Sequence, residues 1–249
     1  MIDIHAHILP GLDDGSETME ESLKMADLAV QSGVDTLVVT PHCNVNGIYD
    51  HYCNDSMIGC FQSFELAVKQ RGLPLSVLPG MEVFASEEVP ELLKQGKLIT
   101  LNKSRYLLIE FDFYEEEDFI EELLTEIIKL NYYPIIAHPE RYPLVQKYPE
   151  IVYHWRDMGC QIQMNKGSVL GGFGYRSRET ALELLEHNLV SCIASDAHSP
   201  RHRTTDMSGI YHFICRYCGA EVAHILFNEN PRRVVENRDL INLHSYLLF

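Results

Sequence analysis

The chain has 249 residues, of which 46% are apolar, 22% charged and 10% aromatic. That excludes a disordered or collagen-like polymer, and at about 150 residues per domain it favours a single α/β barrel of about 250 residues. Thirty-six acidic against twenty basic side chains leave a formal charge of −16, which disfavours a nucleic-acid partner and insertion into anionic membranes.

The first of seven short apolar runs, Ile2 to His5, reads as a strand. Thr18 and Glu21 then form a capping-box pattern, and Met19, Leu23, Ala26 and Val30 recur at helical spacing before Gly33. A strand over Thr36 to Thr40 precedes a helix at 55–70, where Phe61, Phe64 and Val68 share one side. Strands follow at Leu75 to Leu78, Tyr106 to Glu110, Tyr133 to Ala137, Cys160 to Met164 and Val190 to Ala194. Helices are expected at 116–130, 144–158, 178–188 and 207–227, with a helix start at Asn230-Pro231. This alternation is the pattern of a parallel sheet with crossover helices, and no repeat or linker divides residues 1–249.

Six of the seven strands end in a potential metal ligand: His5 and His7, His42, Glu82, Glu110, His138, then Asp196 and His198. The other strand delivers Asn165. In barrel enzymes the site lies at the carboxyl ends of the strands, so these residues are expected to converge. Taken singly each is ambiguous. His5-Ala6-His7 is equally an ordinary histidine pair, and Glu82 after Pro79-Gly80 is equally an exposed loop. Glu110 is flanked by apolar residues and is costly to bury unless it is paired or ligates a metal. Asp13-Asp14-Gly15 reads as a turn, placed so that one Asp could fold back over the metals. Five imidazoles and four carboxylates exceed one tetrahedral ion and suit two or three ions of Mn²⁺, Fe²⁺ or Zn²⁺. Grouped ions make hydrolysis of a phosphate ester or amide the natural reaction, and would leave the mouth positive toward an anionic substrate.

Competing chemistries fail on the residues. A thiolate phosphatase needs Arg six positions after its Cys; Tyr49 stands there after Cys43, and none of the other six cysteines meets the test. The Gly167 to Gly174 stretch lacks the lysine and helix context of a phosphate loop and is expected as a flexible rim loop. Cys215 and Cys218 fall in an apolar helical pattern and read as buried thiols. Seven cysteines at low density point to a reducing compartment. Asp3, His5 and His7, where a secretion signal would be apolar, point to the cytoplasm.

The opening from Met1 to Gly15 resembles that of the PHP (polymerase and histidinol phosphatase) proteins, and more narrowly the bacterial PHP-type tyrosine-protein phosphatases of capsule and exopolysaccharide loci. Thr40-Pro41-His42, Gly80-Met81-Glu82, Leu108-Ile109-Glu110, Ala137-His138-Pro139-Glu140-Arg141-Tyr142, Asn165 to Gly174 and Ser195-Asp196-Ala197-His198 match in the same order. The resemblance implies a distorted (β/α)7 TIM-like barrel, one domain over 1–249, holding three divalent ions, Mn²⁺ first and Fe²⁺ or Zn²⁺ as alternatives. Carried over, His5, His7, Glu82 and Asp196 hold the first ion. Glu82 bridges to a second, completed by Glu110 and His138, and Asp14, His42 and His198 hold the third. Arg141 matches a phosphate-holding arginine, and a second falls by spacing on Arg203, with Arg201 as the alternative. Cys43 beside His42 and Ala6 between the first histidines depart from the usual pattern, and Cys43 is an open candidate for a soft ligand.

The implied activity is hydrolysis of phosphotyrosine by a metal-bound hydroxide, on a bacterial tyrosine kinase that governs polysaccharide export. A phosphoesterase of a small molecule such as histidinol phosphate and a metal-stabilised kinase-binding scaffold are the alternatives. The state of association is open and includes a homo-oligomer.

Overall fold

Apolar runs become strands with helices between them, in a computed structural model that describes residues 1–243. β1 (Ile2–Ala6) leads to α1 (Met19–Gln31), β2 (Thr36–Val39), β3 (His42–Cys43), α2 (Asp55–Gln70), β4 (Ser76–Pro79), β5 (Glu82–Phe84), α3 (Val89–Lys94), β6 (Tyr106–Glu110), α4 (Glu117–Lys129) and β7 (Tyr133–Ala137). Then come α5 (Pro143–Lys147), α6 (Ile151–Asp157), β8 (Gln161–Asn165), α7 (Lys166–Val169), α8 (Tyr175–Glu186), β9 (Cys192–Ala194), α9 (Ser208–Tyr217), α10 (Ala220–His224) and α11 (Asn230–Val235). The capping box at α1 forms: Thr18 Oγ1 accepts from Glu21 N at 3.3 Å, and Glu21 Oε2 accepts from Glu17 N at 3.3 Å.

The strands pair in parallel throughout, as the alternation requires. They lie in two sheets, β1-β2-β4 and β3-β5-β6-β7-β8-β9. Two of the expected runs, Thr36 to Thr40 and Leu75 to Leu78, are each followed by a further short strand that was not expected, β3 beyond Thr40-Pro41 and β5 beyond Gly80-Met81. β2 therefore pairs with β4 in the first sheet, and β3 with β5 in the second. At the other edge, Ala6 bridges Ala197 in parallel, with His7 N donating to Ala197 O at 2.8 Å and Asp196 N to His5 O at 2.9 Å.

A small apolar cluster joins the sheets: Ile2, Ile4 and Val38 of the first meet Leu108, Ile135, Ala137, Cys192 and Ala194 of the second. A larger core built around Phe64, Trp155 and Ile136 lies under the helices. Alternate residues of β6 and β7 enter opposite clusters, which is the two-residue period of a strand buried on both faces.

Three expectations are corrected. The helix at 144–158 breaks between Lys147 and Ile151, because Pro149 lacks an N–H and forces Tyr148 out of helical geometry (φ −137°, ψ 71°). The segment 207–227 is cut at Gly219 (φ 98°), and helix then runs through a π turn, Ile225–Glu229, directly into α11. Asn230-Pro231 is thus no fresh start. The stretch from Gly167 to Gly174 is not simply a flexible loop: α7 covers part of it, with Lys166 buried and donating to Thr204 O and to Asp206 O, the latter at 2.6 Å. Among the described residues no helix is long and apolar enough to cross a membrane. All seven cysteines are free thiols.

Candidate metal centre

The parallel strands carry their carboxyl ends to one mouth, where the candidate side chains from distant parts of the chain meet. His5 and His7 face each other with Nε2 atoms 3.1 Å apart. Glu82 stands between them, its Oε1 3.2 Å from His5 Nε2 and its Oε2 3.1 Å from His7 Nε2. The same carboxylate reaches His42 Nδ1 and His138 Nε2, each at 3.1 Å. Glu110 lies 3.5 Å from His138 and 3.6 Å from His42. Asp196 Oδ1 is 3.6 Å from both His5 and His7, and Asp14 Oδ1 joins His198 at 3.3 Å and His42 at 3.6 Å. Among the described residues, three groups have donor atoms close enough for a shared ion: His7, Asp14, His42 and His198; His5, His7 and Asp196; and His42, Glu82 and Glu110. They overlap the three sets implied by resemblance, with His7 and His42 each falling in two groups. Cys43 is in none, and burial pushes its thiol up to about 12.

The supporting contacts come from Asp13 and Gln163, which the strand-end pattern did not single out, and from Asn165, which it did. Asp13 Oδ2 is 2.7 Å from His7 Nδ1 and accepts the His42 backbone N–H at 2.9 Å. Of the two turn aspartates, one meets the cluster and the other orients it. Gln163 Oε1 lies 2.8 Å from His5 Nδ1, and Asn165 Nδ2 donates to Asp196 Oδ2. The alternation of β8 already puts Gln163 and Asn165 on one face, which was the signal available. A Cβ on Gly15 would sit 2.1 Å from His7 O, so glycine there is what lets the aspartate turn close on β1. Three site residues, His138 (φ 35°), Asp196 (φ 48°) and Arg203 (φ 50°), hold left-handed backbone, the kind of strain that concentrates at functional positions.

Burial would push Glu82 up, yet His5, His42 and His138 around it hold it well below the usual carboxylate range. Glu110 moves the opposite way, raised well above its ordinary value by burial and by the charges of Glu82 and Asp196. Burial pushes His138 down to about 4, and the Arg141 charge adds to this. Carboxylates packed this closely need protons or cations between them. His42 Nδ1 is buried and has no hydrogen-bond partner among the described residues although Glu82 Oε2 is 3.1 Å away. Donor atoms facing one another in this way fit divalent cations, and a mixed imidazole and carboxylate set suits Mn²⁺, Fe²⁺ or Zn²⁺.

Both candidate arginines reach the rim. Arg141 Nη1 is 3.5 Å and Arg203 Nη2 2.5 Å from the same atom, Asp196 Oδ2. Arg201 points elsewhere: it is 80% exposed and 3.9 Å from Glu21.

Imidazoles and carboxylates gathered at the ends of parallel strands, beneath paired guanidinium groups, define the class of metal-dependent hydrolases. Within it, the pattern of the capsular polysaccharide synthesis CpsB/CapC family matches residues 1–236, and the chain belongs to that family. It is similar to tyrosine-protein phosphatase YwqE of Bacillus subtilis (strain 168), 35% identical over 240 residues that cover 96% of this chain and 93% of that protein. Tyrosine-protein phosphatase CpsB of Streptococcus pneumoniae is 34% identical over 240 residues, 94% of this chain and 98% of that one. A crystal structure from work on YwqE and CpsB, described there as metal-dependent tyrosine phosphatases, matches with a TM-score of 0.94 at 33% identity, covering 100% of both chains.

Proposed function

We propose that this protein is a metal-dependent tyrosine-protein phosphatase that hydrolyses phosphotyrosine on a bacterial tyrosine kinase controlling capsule or exopolysaccharide synthesis. The observation that carries the reading is the convergence of nine ligand-type side chains beneath Arg141 and Arg203. The family and the phosphatases it resembles support the substrate class. In this reading three divalent ions, Mn²⁺ first, are held by His5, His7, Glu82 and Asp196, by Glu82, Glu110 and His138, and by Asp14, His42 and His198. The two sheets belong to one distorted (β/α)7 barrel, a single PHP phosphatase domain, working in the cytoplasm.

Divalent ions in such a cluster supply positive charge for the phosphoryl oxygens and lower the pKa of a coordinated water toward about 7. The chain does the rest. Arg141 and Arg203 bind and orient the phosphoryl group, where preorganised cations act on the charge that develops during transfer. Asp13 and Gln163 hold the His7 and His5 rings in fixed orientation. The acidic remainder of the surface leaves this mouth as the entry point for an anionic substrate.

The test is hydrolysis of a phosphotyrosine peptide and of p-nitrophenyl phosphate, with Mn²⁺ and with excess EDTA. Peptide hydrolysis that stops with EDTA and returns with Mn²⁺ is expected. Equal rates in both conditions, or turnover of small phosphoesters with none of the peptide, would overturn the proposal.

A further inference from the structure

Phe173 follows α7 on the stretch between β8 and α8 and has no part in the ligand set, yet both arginines pack on it. Its ring centre is 4.4 Å from the guanidinium carbon of Arg141 and 5.4 Å from that of Arg203. Phe113, after β6, lies 5.0 Å from the same Arg141 carbon. The two guanidinium groups meet on one atom, Asp196 Oδ2, so two like charges on flexible side chains are brought close together. Repulsion and rotamer freedom both oppose that arrangement. The negative face of a phenyl ring attracts a cation and offers a flat surface that fixes the guanidinium plane.

The ring is itself held in place. A Cβ on Gly167 would stand 2.5 Å from Phe173 Cε2, so the phenyl group rests against bare backbone where any larger residue would displace it. α7, which contains Gly167, is tied to the segment carrying Arg203 through the Lys166 ammonium, which donates to Thr204 O and Asp206 O. Ring, backbone cradle and arginine segment therefore form one connected unit.

Resting on the reading that Arg141 and Arg203 hold the phosphoryl group, we propose that Phe173 is the positioning residue of that arginine pair. It offers its aromatic ring to both guanidinium groups and aims their N–H edges at a common point on the rim.

The experiment uses metal-replete protein, p-nitrophenyl phosphate as substrate and inorganic phosphate as competitive inhibitor. F173L keeps the apolar bulk and removes the π face. It is expected to lower kcat/KM about tenfold and to weaken phosphate inhibition about tenfold, with metal content and melting temperature unchanged, and F173Y should restore both. G167A, which displaces the ring without altering it, should produce the same two losses. Unchanged kcat/KM and phosphate inhibition in F173L, beside clear losses in R141A and R203A, would overturn the inference alone. So would loss of metal in F173L, or a loss that F173Y fails to restore, since either makes the ring a packing element. Full activity in R141A and R203A would overturn the phosphate-holding reading and this inference with it.

Discussion

Asp13 Oδ2 lies 2.7 Å from His7 Nδ1 and also accepts the backbone N–H of His42 at 2.9 Å. One carboxylate thereby fixes the His7 ring and the start of β3, two positions 35 residues apart in the numbering. Partners of this kind orient ligands and raise their basicity. D13N should weaken metal affinity about 10- to 100-fold, with activity recovered at high Mn²⁺. Wild-type affinity in a metal titration of D13N would contradict that role.

The closeness of Gly15 to β1 makes a second expectation. A methyl group at residue 15 meets His7 O at 2.1 Å, so the Asp13-Asp14 turn must move away from the histidines. G15A should bind less metal than wild type and lose activity with it. Metal analysis of purified G15A at full occupancy would show that the turn closes without this contact.

Arg203 and Arg201 are two residues apart and point to different surroundings. R203A should retain metal and lose about 100-fold in kcat, the scale of removing one preorganised donor to a developing oxyanion. R201A, whose side chain lies in solvent near Glu21, should keep near wild-type kinetics. The reverse ranking on p-nitrophenyl phosphate would reassign the second arginine.

Removing metal should cost stability as well as rate, because ions that bind only the folded cluster stabilise it by mass action. One ion at a hundred times its dissociation constant contributes about 2.7 kcal/mol, which is about 5–10 °C in melting temperature for a chain of this size. Calorimetry before and after EDTA measures it, and identical melting curves would argue against ion binding at the buried cluster.

The buried thiols give a reading independent of the site. Burial pushes Cys160 up to about 12 and Cys192 higher still, so almost no thiolate is present at pH 8. Iodoacetamide should therefore modify the partly buried Cys53 and Cys215 first and spare Cys160 and Cys192 until the protein is denatured. Peptide mass mapping that finds Cys192 alkylated in the native state would mean the core around β9 opens.

Much of the fold could be read locally. Tyr106–Glu110, Tyr133–Ala137 and Asp55–Gln70 form as expected, since continuous apolar runs and a helical period act over a few residues. The helix expected over 144–158 departs from that pattern for an equally local reason, Pro149, whose missing N–H ends α5. The proline at Pro41 marks the end of the expected strand at Thr40, but nothing local indicated that the chain would resume as β3 or that β2 and β3 would pair in different sheets.

The strand-end histidines and carboxylates are nameable from sequence alone because a strand's last residues are set by where its apolar run stops. Which of them share an ion depends on register between strands far apart in the chain, and that is a property of packing. Asp13 rather than Asp14 on His7, Arg203 rather than Arg201 on Asp196, and Phe173 beneath both arginines are likewise choices between neighbours of similar chemistry. No period distinguishes such neighbours. The turn closed at Gly15 and the ring resting on Gly167 are contacts of a few ångströms that exist only once the strands are side by side.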